Sequence, residues 1–159
     1  ANASVRANSG KRYTNDVART AAQNLKDAGI HLLANYIVGL EGDTEATMKE
    51  TLEEAKAINA PFFNLYAATA YPGSALYREA VEKGWPLPAR WIDYAQHSPG
   101  FRPLPTATLT SQQIVAFRDQ AFREYFDRPA YMDEVVRRFG MPVEQDIRHM
   151  LEQKIERTS

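Results

Sequence analysis

The sequence predicts an α/β chain: helices alternate with two parallel strands, and a purely helical region follows. Three observations carry this. IHLLANYIVGL, at 30–40, is too apolar for a strand with one wet face and suits a buried parallel strand. PFFNLYAATAYPGS, at 61–74, is a second apolar, aromatic run that ends in a Pro-Gly turn. Helical periodicity precedes, separates and follows the two runs, so the first half reads α-β-α-β-α, the order of parallel strands joined by crossover helices.

Taken in order, residues 1–13 are small and polar and read as an arm. Thr14 is placed to cap a helix to about Ala28, with Val17, Ala21, Leu25 and Ala28 as its apolar stripe and Gly29 at the position after its end. After the first strand, Asp43 or Thr44 caps a helix over about 44–59, whose inner face is Met48, Leu52, Ala55 and Ile58. The second strand leads into a short helix, about 75–83, stopped by Gly84. Residues 85–109 then hold five of the nine prolines and both tryptophans, a long connector of the kind that is functional or packs across a surface. Thr110 and Gln113 form a capping-box pair at the head of a third long helix, with Ile114, Phe117, Ala121 and Phe122 inward. Two more helices, about 129–139 and 142–157, are separated by Gly140 and Pro142.

With 159 residues, 44% of them apolar, the chain is long enough for one domain with a modest core. A net charge of −1 argues against nucleic-acid or membrane-surface binding, which need a basic excess or patch. No window has the uninterrupted apolar length of a bilayer span, and the first dozen residues lack the apolar segment of a signal peptide, so a cytoplasmic location is expected. There is no cysteine, which removes disulfides, thiolate metal sites and cysteine nucleophiles from this chain. Two strands alone are marginal as a parallel sheet. Either the chain belongs to a larger α/β domain or it completes its sheet by self-association as a homodimer, and both can hold.

Alternation sorts the strand side chains. Leu33, Asn35, Ile37 and Gly39 share one face of the first strand; Phe62, Asn64, Tyr66 and Ala68 share one face of the second. The faces carrying Asn35 and Asn64 are the better candidates for a ligand side, because a purely structural interior prefers aliphatic residues and sites on parallel sheets gather at the C-terminal strand ends. Periodicity alone reads all of them as ordinary core strand. Gly39 and Gly42 flank a helix start, where an anion could bind, but Glu41, Asp43 and Glu45 would repel one and no GxGxxG or P-loop lysine is present, so capping geometry is the better reading. His31, His97 and His149 have no paired spacing; His97, in the aromatic connector, is the one best placed to approach a site. Tyr71, Pro72 and Gly73 read as a turn. Trp85 and Trp91 are expected to seal the connector against the sheet edge, and Arg118, Asp119 and Arg123 to lie on a solvated or interface face.

The order of ANYIVGL, the GDTEATM helix start and AYPGSALY resembles the later part of a radical SAM barrel. The continuation WPLPARWIDYAQHS…PLPTATLTSQQIVAFRDQAFREYF is similar to the tail of the cobalamin-binding group of that superfamily, which includes the anaerobic magnesium-protoporphyrin ester cyclases and related methyltransferases. The resemblance covers about residues 2 to 155 and is most specific in the middle. It implies a fragment of a (βα) partial barrel: 1–84 the C-terminal part of the barrel, with residues 1–6 the remnant of the turn after the fourth strand and 30–40 and 61–70 the fifth and sixth strands, then 85–109 a connector and 110–159 a helical C-terminal region. The family's GLPGD turn reads GLEGD here, with Glu41 in the place of proline, which loosens the turn.

The resemblance implies a parent enzyme that cleaves S-adenosylmethionine reductively with a 4Fe-4S cluster held on an upstream CxxxCxxC loop, and a cobalamin domain further upstream in the same group. It implies cofactor contact by Asn35, Ile37, Gly39, Leu65, Tyr66, Ala67 and Ala68, of which Ile37 packs on the adenine and the backbone of 65–68 bonds its edge. Asn64 and His97 are the candidates for the parent's small-molecule substrate. No residue of this chain is expected to be catalytic or to bind metal, and the chain alone is expected to be inactive. Two other readings stay open: a non-catalytic module whose helical tail and connector bind a protein partner, and a small-molecule-binding α/β domain with its site at 39–43.

Overall fold

The computed structural model describes residues 2–158. After a short helix α1 (Ala3–Asn8) come α2 (Asn15–Asp27), β1 (Leu33–Val38), α3 (Glu45–Ile58), β2 (Phe62–Ala67) and α4 (Ala75–Glu82). A single 3-10 turn (Trp91–Tyr94) interrupts the connector, and α5 (Ser111–Phe126), α6 (Pro129–Phe139) and α7 (Met141–Glu152) complete the chain. The two strands are parallel and joined by α3, in a register that sets Leu33 beside Phe62, Asn35 beside Asn64 and Ile37 beside Tyr66.

The helix starts follow from side-chain oxygens that accept backbone N–H groups otherwise left without a partner. Thr14 accepts from Val17, Ser74 from Tyr77, and Thr110 from Gln113, whose own amide oxygen accepts the Thr110 N–H at 2.8 Å. At α3 the cap is Thr44, paired with Thr47, and Asp43 stands one residue earlier. The arm expected at the N-terminus is helical over Ala3–Asn8: the Asn2 side chain caps it and Val5 is buried beneath it.

The sheet has one covered and one open face. Ala34, Tyr36 and Val38 on β1 and Phe63, Leu65 and Ala67 on β2 turn toward α3 and α5. There Met48, Leu52, Ala55, Ile114, Ala121 and Tyr125 close over them, and α6 and α7 extend the same core through Tyr131, Val135 and Ile147. A smaller cluster of Ala70, Ala80 and Leu104, with Trp85 against it, ties α4 to the connector.

Four expectations are corrected. The stripe of α2 is not buried as a whole: Ala22 is the buried residue, while Val17 is 58% exposed. Trp85 packs, but Trp91 is 79% exposed and seals nothing. Arg118 is not on a solvated face; it is 3% exposed, because it sits on the inward row of α5 with Ile114 and Ala121. The last helix stops at Glu152 rather than near 157, since Gln153 turns extended and the Arg123 guanidinium takes the carbonyls of Leu151 and Gln153.

Candidate functional site: an open face on two parallel strands

Three cross-strand pairs make up the open face. Leu33 and Phe62 lie at its start, Asn35 and Asn64 in the middle, Ile37 and Tyr66 at the C-terminal end. Leu33, Phe62, Ile37 and Tyr66 are 53, 47, 44 and 38% exposed, a concentration of large apolar side chains that isolated surface residues do not produce. Between the two apolar rows, Asn64 Nδ2 donates to Asn35 Oδ1 at 2.9 Å. That bond orients both amides across the strands and leaves the Asn35 NH2 and the Asn64 carbonyl to face outward. A groove of about 300 Å³, bounded by α1, α2 and α3, runs along β1 and reaches Asn35, Tyr36 and Ile37.

The turn after β1 is closed from within. Asp43 is 2% exposed, and its carboxylate accepts the Leu40 N–H at 3.0 Å and the Thr47 hydroxyl at 2.6 Å. It places a negative charge at the head of α3, where the helix dipole favours one. An external anion would meet that carboxylate, so the turn reads as capping geometry. Gly39 is closely packed from behind: a Cβ built there would stand 2.8 Å from Ile114 Cγ2 of α5.

The residues singled out in the sequence fall into three places. Asn35, Ile37, Asn64 and Tyr66 come together on the open face. Leu65 and Ala67 point to the covered face, each 2% exposed, so their side chains are out of reach of a ligand on the open face. Gly39 lies buried in the turn, and Ala68, half-buried, donates its N–H to the Val38 carbonyl at 2.8 Å. His97 stands apart from the open face, beside Arg118 at the other edge of β2, with Nε2 3.2 Å from Arg118 Nη2. A guanidinium has no acceptor, so His97 Nε2 accepts and the ring proton sits on Nδ1. Burial, and then the charges of Arg118 and Arg157, lower the His97 pKa from its ordinary value. The imidazole lines a pocket of about 440 Å³ with Phe122, Leu151 and Ile155.

Two side chains to which the sequence assigned no place at the sheet take up the outer edge of β2. Arg118 Nε donates to the Leu65 carbonyl at 3.1 Å. Gln96 donates Nε2 to the Ala67 carbonyl and accepts the Ala67 N–H on Oε1, both at 3.0 Å. The signal for Arg118 was its place three and four residues from Ala121 and Ile114 on the apolar row; nothing in the sequence pointed to Gln96. Among the described residues no cluster of three or more His, Asp or Glu is arranged to hold a metal ion.

No protein-family model matches the chain. It is 25% identical over 143 residues to a protein of Pyrococcus horikoshii named an uncharacterized methyltransferase; the match covers 89% of this chain and 30% of that protein. It is 38% identical over 73 residues to the anaerobic magnesium-protoporphyrin IX monomethyl ester cyclase of Rubrivivax gelatinosus, covering 46% of this chain and 13% of the cyclase. The chain thus spans less than a third of the length of these curated relatives. Among the described residues no helix is long and apolar enough to cross a membrane.

Proposed function

We propose that this chain is the C-terminal portion of a radical SAM enzyme of the cobalamin-binding group, supplying the last two barrel strands and a helical cap. The observation that carries the reading is the open face of β1 and β2, where a paired amide row lies between apolar rows toward the C-terminal strand ends. Similarity to a protein named a methyltransferase and to an ester cyclase supports it. When bound, S-adenosylmethionine and its iron–sulfur cluster supply the radical chemistry. The chain has no cysteine, so the cluster ligands belong to another part of the whole protein. The residues present fit the nucleoside part of the cofactor. Ile37 and Tyr66 offer apolar surface for a purine, and the outward groups of Asn35 and Asn64 offer one donor pair and one acceptor. α3 and α5, packed behind the sheet, keep water from its rear. By itself the chain is inactive, because it holds neither the cluster nor the remaining barrel.

The test is S-adenosylmethionine affinity in the whole protein that carries this chain. Ile37→Ala and Asn64→Ala should each raise the dissociation constant about tenfold, the effect of one lost apolar or polar contact. Unchanged affinity in both variants overturns the reading.

One observation favours a second reading. In the parallel ladder the even-numbered residues of β1 bond β2, so the backbone groups of Leu33, Asn35 and Ile37 project from the opposite edge. That edge is suited to another strand, and a second copy of the chain would supply one. Light scattering at micromolar concentration tests it: a monomeric mass sinks the homodimer.

A further inference from the structure

β2 bonds β1 through its even-numbered residues: the Phe62 N–H goes to the Leu32 carbonyl and the Ala68 N–H to the Val38 carbonyl. The backbone groups of Leu65 and Ala67 therefore point the other way, to an edge where no further strand follows among the described residues. Backbone groups buried without partners would destabilise that edge. Arg118 takes the Leu65 carbonyl, and the Gln96 amide takes both groups of Ala67 as the peptide of a neighbouring strand would. Gln96 is 7% exposed and held in turn, since its own carbonyl accepts Arg157 Nη2 at 3.1 Å. The same guanidinium grips Asp119, which accepts Arg118 Nη1 at 2.8 Å. Both grips on the strand are thus joined through Arg157, and among the described residues no buried side-chain nitrogen or oxygen is left without a partner.

Tyr66 lies between the two gripped residues. Its backbone is fixed on both sides, and its side chain is presented to the open face opposite Ile37. We infer that Gln96 is a positioning residue: its side-chain amide stands in for a missing strand, fixes the C-terminal end of β2, and so places Tyr66 and Ala68 for ligand on the open face. The ligand part rests on the function proposed above; the grip on Ala67 does not.

The variants Gln96→Leu and Gln96→Glu in the protein that carries this chain test it with two readouts. The first is hydrogen exchange, by mass spectrometry, of the peptide covering 61–70. The second is the dissociation constant for S-adenosylmethionine as a function of pH. Gln96→Leu loses both bonds to Ala67 and the one that Nε2 donates to the Thr69 hydroxyl at 3.2 Å. Gln96→Glu at neutral pH can neither donate to the Ala67 carbonyl nor avoid repelling it, but a protonated carboxyl restores the donor. The expected result is faster exchange in both variants and about tenfold weaker binding, with recovery on acidification in Gln96→Glu alone. A loss of packing alone would not give that pH-dependent rescue of affinity. Unchanged exchange in both variants overturns the inference whatever the protein binds. Faster exchange with wild-type affinity retained overturns the positioning role. If wild-type protein itself fails to bind S-adenosylmethionine, the proposed function falls and the ligand part of the inference falls with it.

Discussion

Ile114 Cγ2 occupies the space a side chain on Gly39 would need, 2.8 Å from the position of a Cβ. The residue that follows β1 and a buried residue in the first turn of α5 are therefore fitted to each other. Gly39 also has φ +73, a region that costs an L residue about 1 kcal/mol or more. Gly39→Ala should lower stability by about 2–3 kcal/mol, from strain and overpacking together. Ile114→Val removes Cδ1, which stands 3.1 Å from the same Cβ position, so the double variant should lose less than the sum of the singles. Urea unfolding of the four proteins measures this directly.

Stability should also fall in alkali. Burial pushes the Tyr131 phenol up to about 12, and its hydroxyl donates to the Pro61 carbonyl at 3.0 Å. Burial raises Tyr125 and Tyr36 as well, and the Tyr125 hydroxyl donates to the Ala60 carbonyl at 2.8 Å. A folded pKa above the unfolded one means that the folded state keeps protons the unfolded state releases. The contribution is complete below about pH 10 and is lost as pH rises toward 12. Denaturant midpoints measured from pH 8 to pH 12 should decline over that window, and Tyr131→Phe should make the decline shallower while starting from a lower value. A flat profile would contradict the burial of these hydroxyls.

Most of the elements were legible because their causes are local. Thr14, Thr44 and the Thr110–Gln113 pair each sit within four residues of the N–H groups they satisfy, and the two-residue period of the strands put Asn35 and Asn64 on one face before any pairing was known. What was missed has causes far along the chain. Arg118 is inward because a carbonyl 53 residues away needs a donor. The last helix ends early because Arg123, 28 residues from Leu151, takes that residue's carbonyl. Trp91 is exposed although tryptophan ordinarily buries area, because the neighbouring Asp93 and Tyr94 take the inward positions of that 3-10 turn. Composition cannot carry such information; only the tertiary partner does.

His97 should titrate below the ordinary histidine value near 6.5 in proton NMR, since burial and the charges of Arg118 and Arg157 oppose its protonation. Protonation would also turn its Nε2 from acceptor to donor against the Arg118 N–H. With the folded pKa depressed, the contribution to stability is present above the unfolded pKa and is lost as pH falls through it toward the folded one. His97→Ala should remove that part of the acid sensitivity. Because His97 stands away from the Asn35–Asn64 row, turnover of the proposed parent enzyme should change little in this variant; a large loss would place the substrate at the His97 pocket instead.

Arg157 is the residue whose loss should reach furthest. It makes two bonds to Asp119, at 2.8 and 2.7 Å, and donates to the carbonyls of Ser98 and Gln96. The Thr158 N–H adds a bond to the Pro99 carbonyl, so the segment after α7 lies along the connector. Burial works against the Asp119 carboxylate, but hydrogen bonds from Arg157 and Arg118 hold it below the usual carboxylate range. The stability it contributes is present above the unfolded pKa, near 4, and lost as pH falls through the folded value. Arg157→Ala removes one of the two guanidinium partners while Arg118 keeps the other. It should therefore raise the Asp119 pKa without bringing it to that of a free side chain, and cost about 1–3 kcal/mol for a partly buried charged network. Limited proteolysis should cut the variant after residue 152 faster than wild type. Hydrogen exchange should increase over 94–100 and 61–70 together, because the grips on both stretches pass through this guanidinium. Exchange confined to the last six residues would show instead that the tail is held by Arg157 while β2 is held without it.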